Sequence, residues 1–338
     1  MVDKISEYTE GITNDERVLN ELNATLKRGA VNSGETEDSE DSLNEWFIKR
    51  FEPNSIVLDK DDYSKALIRS LWIAPNLAAL DFSGGRLRDF AQLWTDTARG
   101  FLGEIAVQKF LKTNFDFDTH IETGRGKVEE FMPSDIFINE KGAIKPRISK
   151  IKVSIKTTKF NGRWLEIPES QFRQSDIFVL VKLGISRFHF SSYLKSLQTI
   201  KQIFETGVRL KELNDQQIQI LSKEIPDWIS IPAYICGFVA KNGLKSPIDS
   251  LDFRTPRKRK KDANGTRPIS TVEVQGGVGL FSYETIEELP EIKALNLPPD
   301  IPINIAGIGK EVDGCFYASS GLLKFSKKEW ADLIVAKL

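Results

Sequence analysis

Asp135 to Lys156 read DIFINEKGAIKPRISKIKVSIK. An acid heads a short apolar run, Ile136-Phe137-Ile138, which has the composition of a strand. From Ile151 to Thr158 the chain alternates, with Lys156 on an otherwise β-branched strand. Asn139 to Arg147, between the two, carries the Gly and Pro of a hairpin connection. Asp135 and Lys156 are 21 positions apart, and two adjacent strands joined by a loop would bring them together.

Outward from this stretch, Arg86 to Asn114 reads as one long helix or a kinked pair. Phe90, Leu93, Trp94, Thr97 and Phe101 recur at three- and four-residue spacing, and Gly100 and Gly103 invite a kink. Within it, FLGEIAVQKFL places Glu104 beside Phe101, Val107 and Leu111, so its carboxylate needs a partner. Downstream, Arg163 to Ile167 is a short strand. Asp176 to Leu183 (DIFVLVKL) is a run of the kind buried on both faces, and Ala233 to Val239 is a last buried strand. SSYLKSLQTIKQIFET and LNDQQIQILSKEI are helical, and Leu43 to Leu80 suggests two short helices. The order predicts an α/β (mixed α+β) fold, a central mixed sheet flanked by helices.

Residues 1–42 are polar, with an acidic run at 35–41 (ETEDSED), and read as a partly disordered arm. Residues 43–242 then form the core with its N-terminal helices. Residues 243–338 form a loop-rich extension, a DNA clamp or dimerisation element, ending in the helical KKEWADLIVAKL.

With 338 residues, 40% hydrophobic and 28% charged, the chain reads as an ordinary globular protein. No apolar run approaches a membrane span and the N-terminus shows no signal-peptide pattern, which points to the cytoplasm. Cys236 and Cys315 lie in apolar surroundings and read as reduced thiols. The net charge of −1 hides the run from Arg254 to Lys261 (RTPRKRKK), with six basic residues in eight. Such a run is either a solvated loop or a phosphate-contacting arm, in which Arg257, Lys258 and Arg259 would touch DNA.

Glu on a helix, Asp at a strand head and Ile-Lys-Thr-Thr on the next strand resemble the PD-(D/E)xK nuclease superfamily, and within it the type II restriction endonucleases. The resemblance covers roughly residues 86–240. It implies a restriction-endonuclease-like core, Mg²⁺-dependent hydrolysis of DNA, and a homodimer reading a palindrome. It also implies a cognate DNA methyltransferase in the host. Catalysis would fall to Asp135, Lys156, Glu104 and Glu169, with metal held by Asp135 and Glu169 or the nearer Glu166. The commonest family motif has an acid where this chain has Ser154. One branch, cutting CCGG- and CCNGG-type sites, shows the same Ser-x-Lys and takes its acid from a Glu downstream. Glu169 lies 13 positions after Lys156, matching that spacing. KTTKFNGRWLEIPE (156–169) also resembles that branch in its Arg-Trp pair, which makes Arg163 the candidate reader of a guanine edge and Lys159 a further DNA contact. The alternatives are another nuclease of the superfamily, for repair, recombination or a mobile element, or an inactive DNA-binding scaffold.

Other chemistries fit poorly. Two histidines, His120 and His189, are too few for a ββα-metal nuclease, and His189 between aromatics reads as structural. Gly276-Gly277-Val278-Gly279 is not followed by the Gly-Lys-Ser/Thr of a P-loop.

Overall fold

The computed structural model describes residues 3–76, 89–121, 134–138, 147–148, 150–244, 249–254, 272–281, 288–294, 303–306, 308 and 315–337. Its helices are α1 (Lys4–Glu10), α2 (Glu16–Asn32), α3 (Glu40–Trp46), α4 (Lys60–Ile73) and α5 (Phe90–Phe115). They continue with α6 (Glu169–Gln174), α7 (His189–Ser196), α8 (Thr199–Arg209), α9 (Asp215–Glu224) and α10 (Lys327–Lys337). The strands are β1 (Ser55–Leu58), β2 (Thr119–Ile121), β3 (Ile136–Ile138), β4 (Arg147–Ile148), β5 (Val153–Lys159) and β6 (Trp164–Pro168). After them come β7 (Ile177–Leu183), β8 (Ile231–Ala240), β9 (Asp249–Arg254), β10 (Val272–Phe281), β11 (Ile303–Ile305) and β12 (Cys315–Ser319).

The fold is mixed α/β. A four-stranded sheet runs β1-β8-β7-β5, with β5 parallel to β7 and the other pairs antiparallel. A second sheet runs β11-β10-β12-β6 with β9 beside β10, and β2-β3-β4 form a small antiparallel third.

β7 explains the layering. Ile177, Val179, Val181 and Leu183 enter one apolar cluster with α4 and α5, while Phe178 and Leu180 enter a second with α2 and β6. Side chains alternate across a strand, so a strand apolar at every position is covered on both sides. β5 continues the pattern: Val153 and Ile155 face α5, and Lys156 falls on the other face beside Leu180.

Of the two readings of this segment, the single helix holds: α5 is continuous over 26 residues. A Cβ at Gly103 would run into the Thr157 side chain, so this glycine lets α5 lie directly on β5. Asp89 caps the start of α5, and Trp94 donates to the Leu67 carbonyl of α4 at 2.8 Å.

One region differs from expectation. Within residues 1–42, expected as a partly disordered arm, residues 3–42 carry α1, α2 and the start of α3, each capped by an Asp or Ser side chain. Val18, Leu22 and Leu26 of α2 are buried in the second cluster. Their four-residue spacing supplies an apolar stripe that overrides the polar average. The described part of 243–338 packs on the core. β12 pairs with core strand β6, and Trp330 of α10 packs on Phe110 and Phe238 at 5.4 and 4.7 Å. β1 escaped the sequence reading, because its four residues are flanked by helices and carry little periodicity.

Candidate active site

Asp135 is fixed at the open edge of β5. Its backbone N–H donates to the Val153 carbonyl at 2.8 Å, and its Oδ2 accepts from the Ile155 N–H at 2.6 Å. Ser134 Oγ accepts from Val153 N–H at 3.1 Å, completing the clamp. The strand head that begins with Ser134-Asp135 is therefore stitched to β5 at Val153 and Ile155, three residues and one residue before Lys156.

Glu104 reaches the same place from α5, and Lys156 from β5. Glu166 comes from β6, where Tyr317 of β12 stands opposite it. Lys156 lies within the electrostatic reach of all three acids. Burial raises the Glu104 pKa well above the usual carboxylate range; the Asp135 charge adds to this, against the pull of Arg69 and Lys156. Burial also raises Asp135, against the Ile155 N–H and Lys156. Glu166, an exposed residue of β6, is raised too by partial desolvation, against the Tyr317 hydroxyl and Lys156. Burial lowers the Lys156 pKa, although Asp135, Glu166 and Glu104 all oppose it.

This is a cluster short of positive charge: three carboxylates share Lys156 and, at the Glu104 side, Arg69. A divalent cation would relieve it. Among the described residues no three His, Cys, Asp or Glu side chains are gathered closely enough to hold one ion. Mg²⁺, which keeps several of its waters, is held by one or two carboxylates, so Asp135 with Glu104 or Glu166 fits that ion.

Of the two downstream acids, the structure brings Glu166 to Lys156. Glu169 opens α6, is exposed and pairs with Arg173 at 2.6 Å. The spacing argument pointed to Glu169, but β6 ends at Pro168 and the next residue has already turned into the helix. Ser154 is a buried strand residue, 8% exposed. Arg163 is half-buried and its Nη1 donates to Gln275 Oε1 at 2.8 Å. Lys159 is exposed at the end of β5. Arg257, Lys258 and Arg259 lie outside the described residues, as does nearly all of the 139–147 connection. Arg69 and Gln275 were not legible beforehand, since neither lies in a recognisable motif.

His189 is buried on Ser186, with Nδ1 2.9 Å from the Ser186 hydroxyl, and desolvation takes its pKa down to about 4. It serves packing against Trp228. Cys236 and Cys315 are free thiols, and burial pushes both upward. Among the described residues no helix is long and apolar enough to cross a membrane.

A second charged cluster lies within the protein. Lys182 of β7 donates to Ser33 Oγ, Glu35 Oε1 and Ser320 Oγ at 3.0, 2.8 and 2.9 Å. Glu35 also accepts from Tyr234 at 2.7 Å, from Trp46 at 3.0 Å and from Ser320. Arg50 Nε stands 3.7 Å away. Burial would raise the Glu35 pKa, but Lys182 and then Arg50 outweigh it and bring it to about 2. The signal for this cluster was a lone lysine inside DIFVLVKL, which demands a buried acid.

No family model, curated protein or solved structure matches this chain.

Proposed function

We propose that this protein is a Mg²⁺-dependent endodeoxyribonuclease of the type II restriction kind, built on a restriction-endonuclease-like core. The observation that carries the reading is the convergence of Glu104, Asp135, Lys156 and Glu166 from four elements on the edge of β5. Metal-assisted phosphodiester hydrolysis can be run by this combination: acids to hold a cation and a lysine beside them to orient or deprotonate the water.

When bound by Asp135 with Glu104 or Glu166, Mg²⁺ supplies charge neutralisation at the phosphoryl oxygens and an activated water. The chain's own residues do the rest. The Ile155 N–H holds Asp135 in one orientation. Lys156, already desolvated, orients the attacking water and offsets charge on the phosphoryl group. Glu166 stands in for the acid that Ser154 lacks. Lys159 at the end of β5 and Arg163 just beyond the following turn contact DNA, with Arg163 reading a guanine edge. Symmetric cleavage of both strands calls for a C2 homodimer, a cytoplasmic setting and a methyltransferase that marks host DNA.

The test is incubation of the purified chain with unmethylated phage DNA, with and without Mg²⁺. Discrete fragments that require the metal are expected. A smear would shift the reading to a structure- or end-directed nuclease of the same superfamily. Intact DNA across many substrates would leave an inactive binding scaffold.

A further inference from the structure

β10 is irregular where it meets β9. Their register slips between Val274 and Gly276 and again between Gly276 and Val278. Gly277 takes a φ of +154°, a conformation side-chain-bearing residues rarely adopt. Such bulges re-aim side chains, and they gather beside active sites. The side chain at the first slip is Gln275, 9% exposed, whose Oε1 accepts the 2.8 Å hydrogen bond from Arg163 Nη1.

The other end of that amide is unsatisfied. Gln275 Nε2 is shielded from solvent and has no hydrogen-bond partner among the described residues. A buried donor without an acceptor is destabilising. Turning the amide over would not help, because its NH₂ would then face the Arg163 guanidinium, donor against donor. The position of Gln275 is thus settled by Arg163 and not by its own needs. The main chain of Arg163 is also held, its carbonyl accepting from Ser320 N–H at 2.9 Å. Arg163 precedes Glu166 by three residues, about 10 Å along an extended strand.

We propose that Gln275 is a positioning residue for sequence recognition: it locks the Arg163 guanidinium in the plane needed to pair with both guanine acceptors. Bidentate pairing with O6 and N7 requires the guanidinium plane to lie in the plane of the base. The Arg163 guanidinium takes part of that orientation from the bulged strand that carries Gln275. The inference rests on the nuclease reading above and assigns the residue that sets its specificity.

The experiment compares full-length wild type, Gln275→Leu and Gln275→Glu on unmethylated phage DNA with Mg²⁺, beside their melting temperatures. Gln275→Leu removes the unpaired amide and is expected to melt no lower than wild type. It should cut at additional, near-cognate sites, with discrimination falling on the order of tenfold. Gln275→Glu keeps the acceptor and should retain the wild-type fragment pattern. A purely structural role would lower melting and rate together without new sites. Wild-type fragments and rates from a folded Gln275→Leu would overturn the proposal while leaving the nuclease reading intact. If Gln275→Leu fails to fold, new fragments from Gln275→Glu overturn it and a retained pattern supports it. A wild type that leaves all DNA intact sinks both readings together.

Discussion

Two lysines on neighbouring strands share one face of the central sheet and meet opposite fates. Lys182 on β7 is 2% exposed and gives all its ammonium protons to Ser33, Glu35 and Ser320. Around it Glu35 is satisfied so fully that its pKa falls to about 2. Lys156 on β5 stands among Asp135, Glu166 and Glu104, and all three carboxyls have raised pKa values while its own is lowered. One cluster is closed. The other is short of positive charge, and that deficit is what supports the proposed cation site. Burial alone therefore does not mark a functional group; an unbalanced charge set at a sheet edge does.

The largest effect that separates the clusters concerns chemistry. Lys156→Ala should lower Mg²⁺-dependent cleavage by roughly 10²- to 10⁴-fold with folding unchanged, read from initial rates and circular dichroism. Cleavage surviving that change would put the chemistry elsewhere. Next comes stability: Glu35→Ala leaves Lys182 and Arg50 buried without their acid and should cost about 3–5 kcal/mol in urea unfolding. A loss under 1 kcal/mol would show the closed cluster to be ornamental.

Acid sharpens the contrast. The Glu35 pKa is depressed, so its stabilisation is present above the ordinary glutamate value of 4.5 and is lost as pH falls towards about 2. The Glu104 pKa is raised, so the folded state holds an extra proton and ion-free stability falls as pH rises through the window above 4.5. Glu104→Gln should lessen that fall, leaving the share of Asp135 and Glu166, and raise the melting temperature at neutral pH while removing activity. Melting curves across pH check both signs. The smallest contrast lies within β6 and α6. Glu166→Gln should reduce cleavage, whereas Glu169→Gln, which loses only its exposed pair with Arg173, should leave rates unchanged.

Much of this was legible in the sequence. The alternation of IKVSIKTT and the apolar DIFVLVKL predicted β5 and β7, and the Glu104 periodicity predicted α5, because local pattern and burial agree in those segments. The acidic run at 35–41 misled for a physical reason. Composition averages over a window, but Glu35 is one residue whose three-dimensional partners come from 147 and 285 positions away. The choice between Glu166 and Glu169 was likewise beyond spacing. It depends on where β6 stops, which the pairing with β12 decides. Gln275 was invisible because the bulge that aims it exists only once β9 and β10 have paired.

The most direct measurement is the melting temperature of wild type, Asp135→Asn and Glu35→Gln across a Mg²⁺ titration at pH 7.5. A cation bound only by the folded chain adds about 1.4 kcal/mol at ten times its dissociation constant. Wild type and Glu35→Gln should rise by the same increment from their different starting points, and Asp135→Asn should not rise. An equal rise in all three, or none in wild type, would contradict the claim that the β5 edge is a cation site.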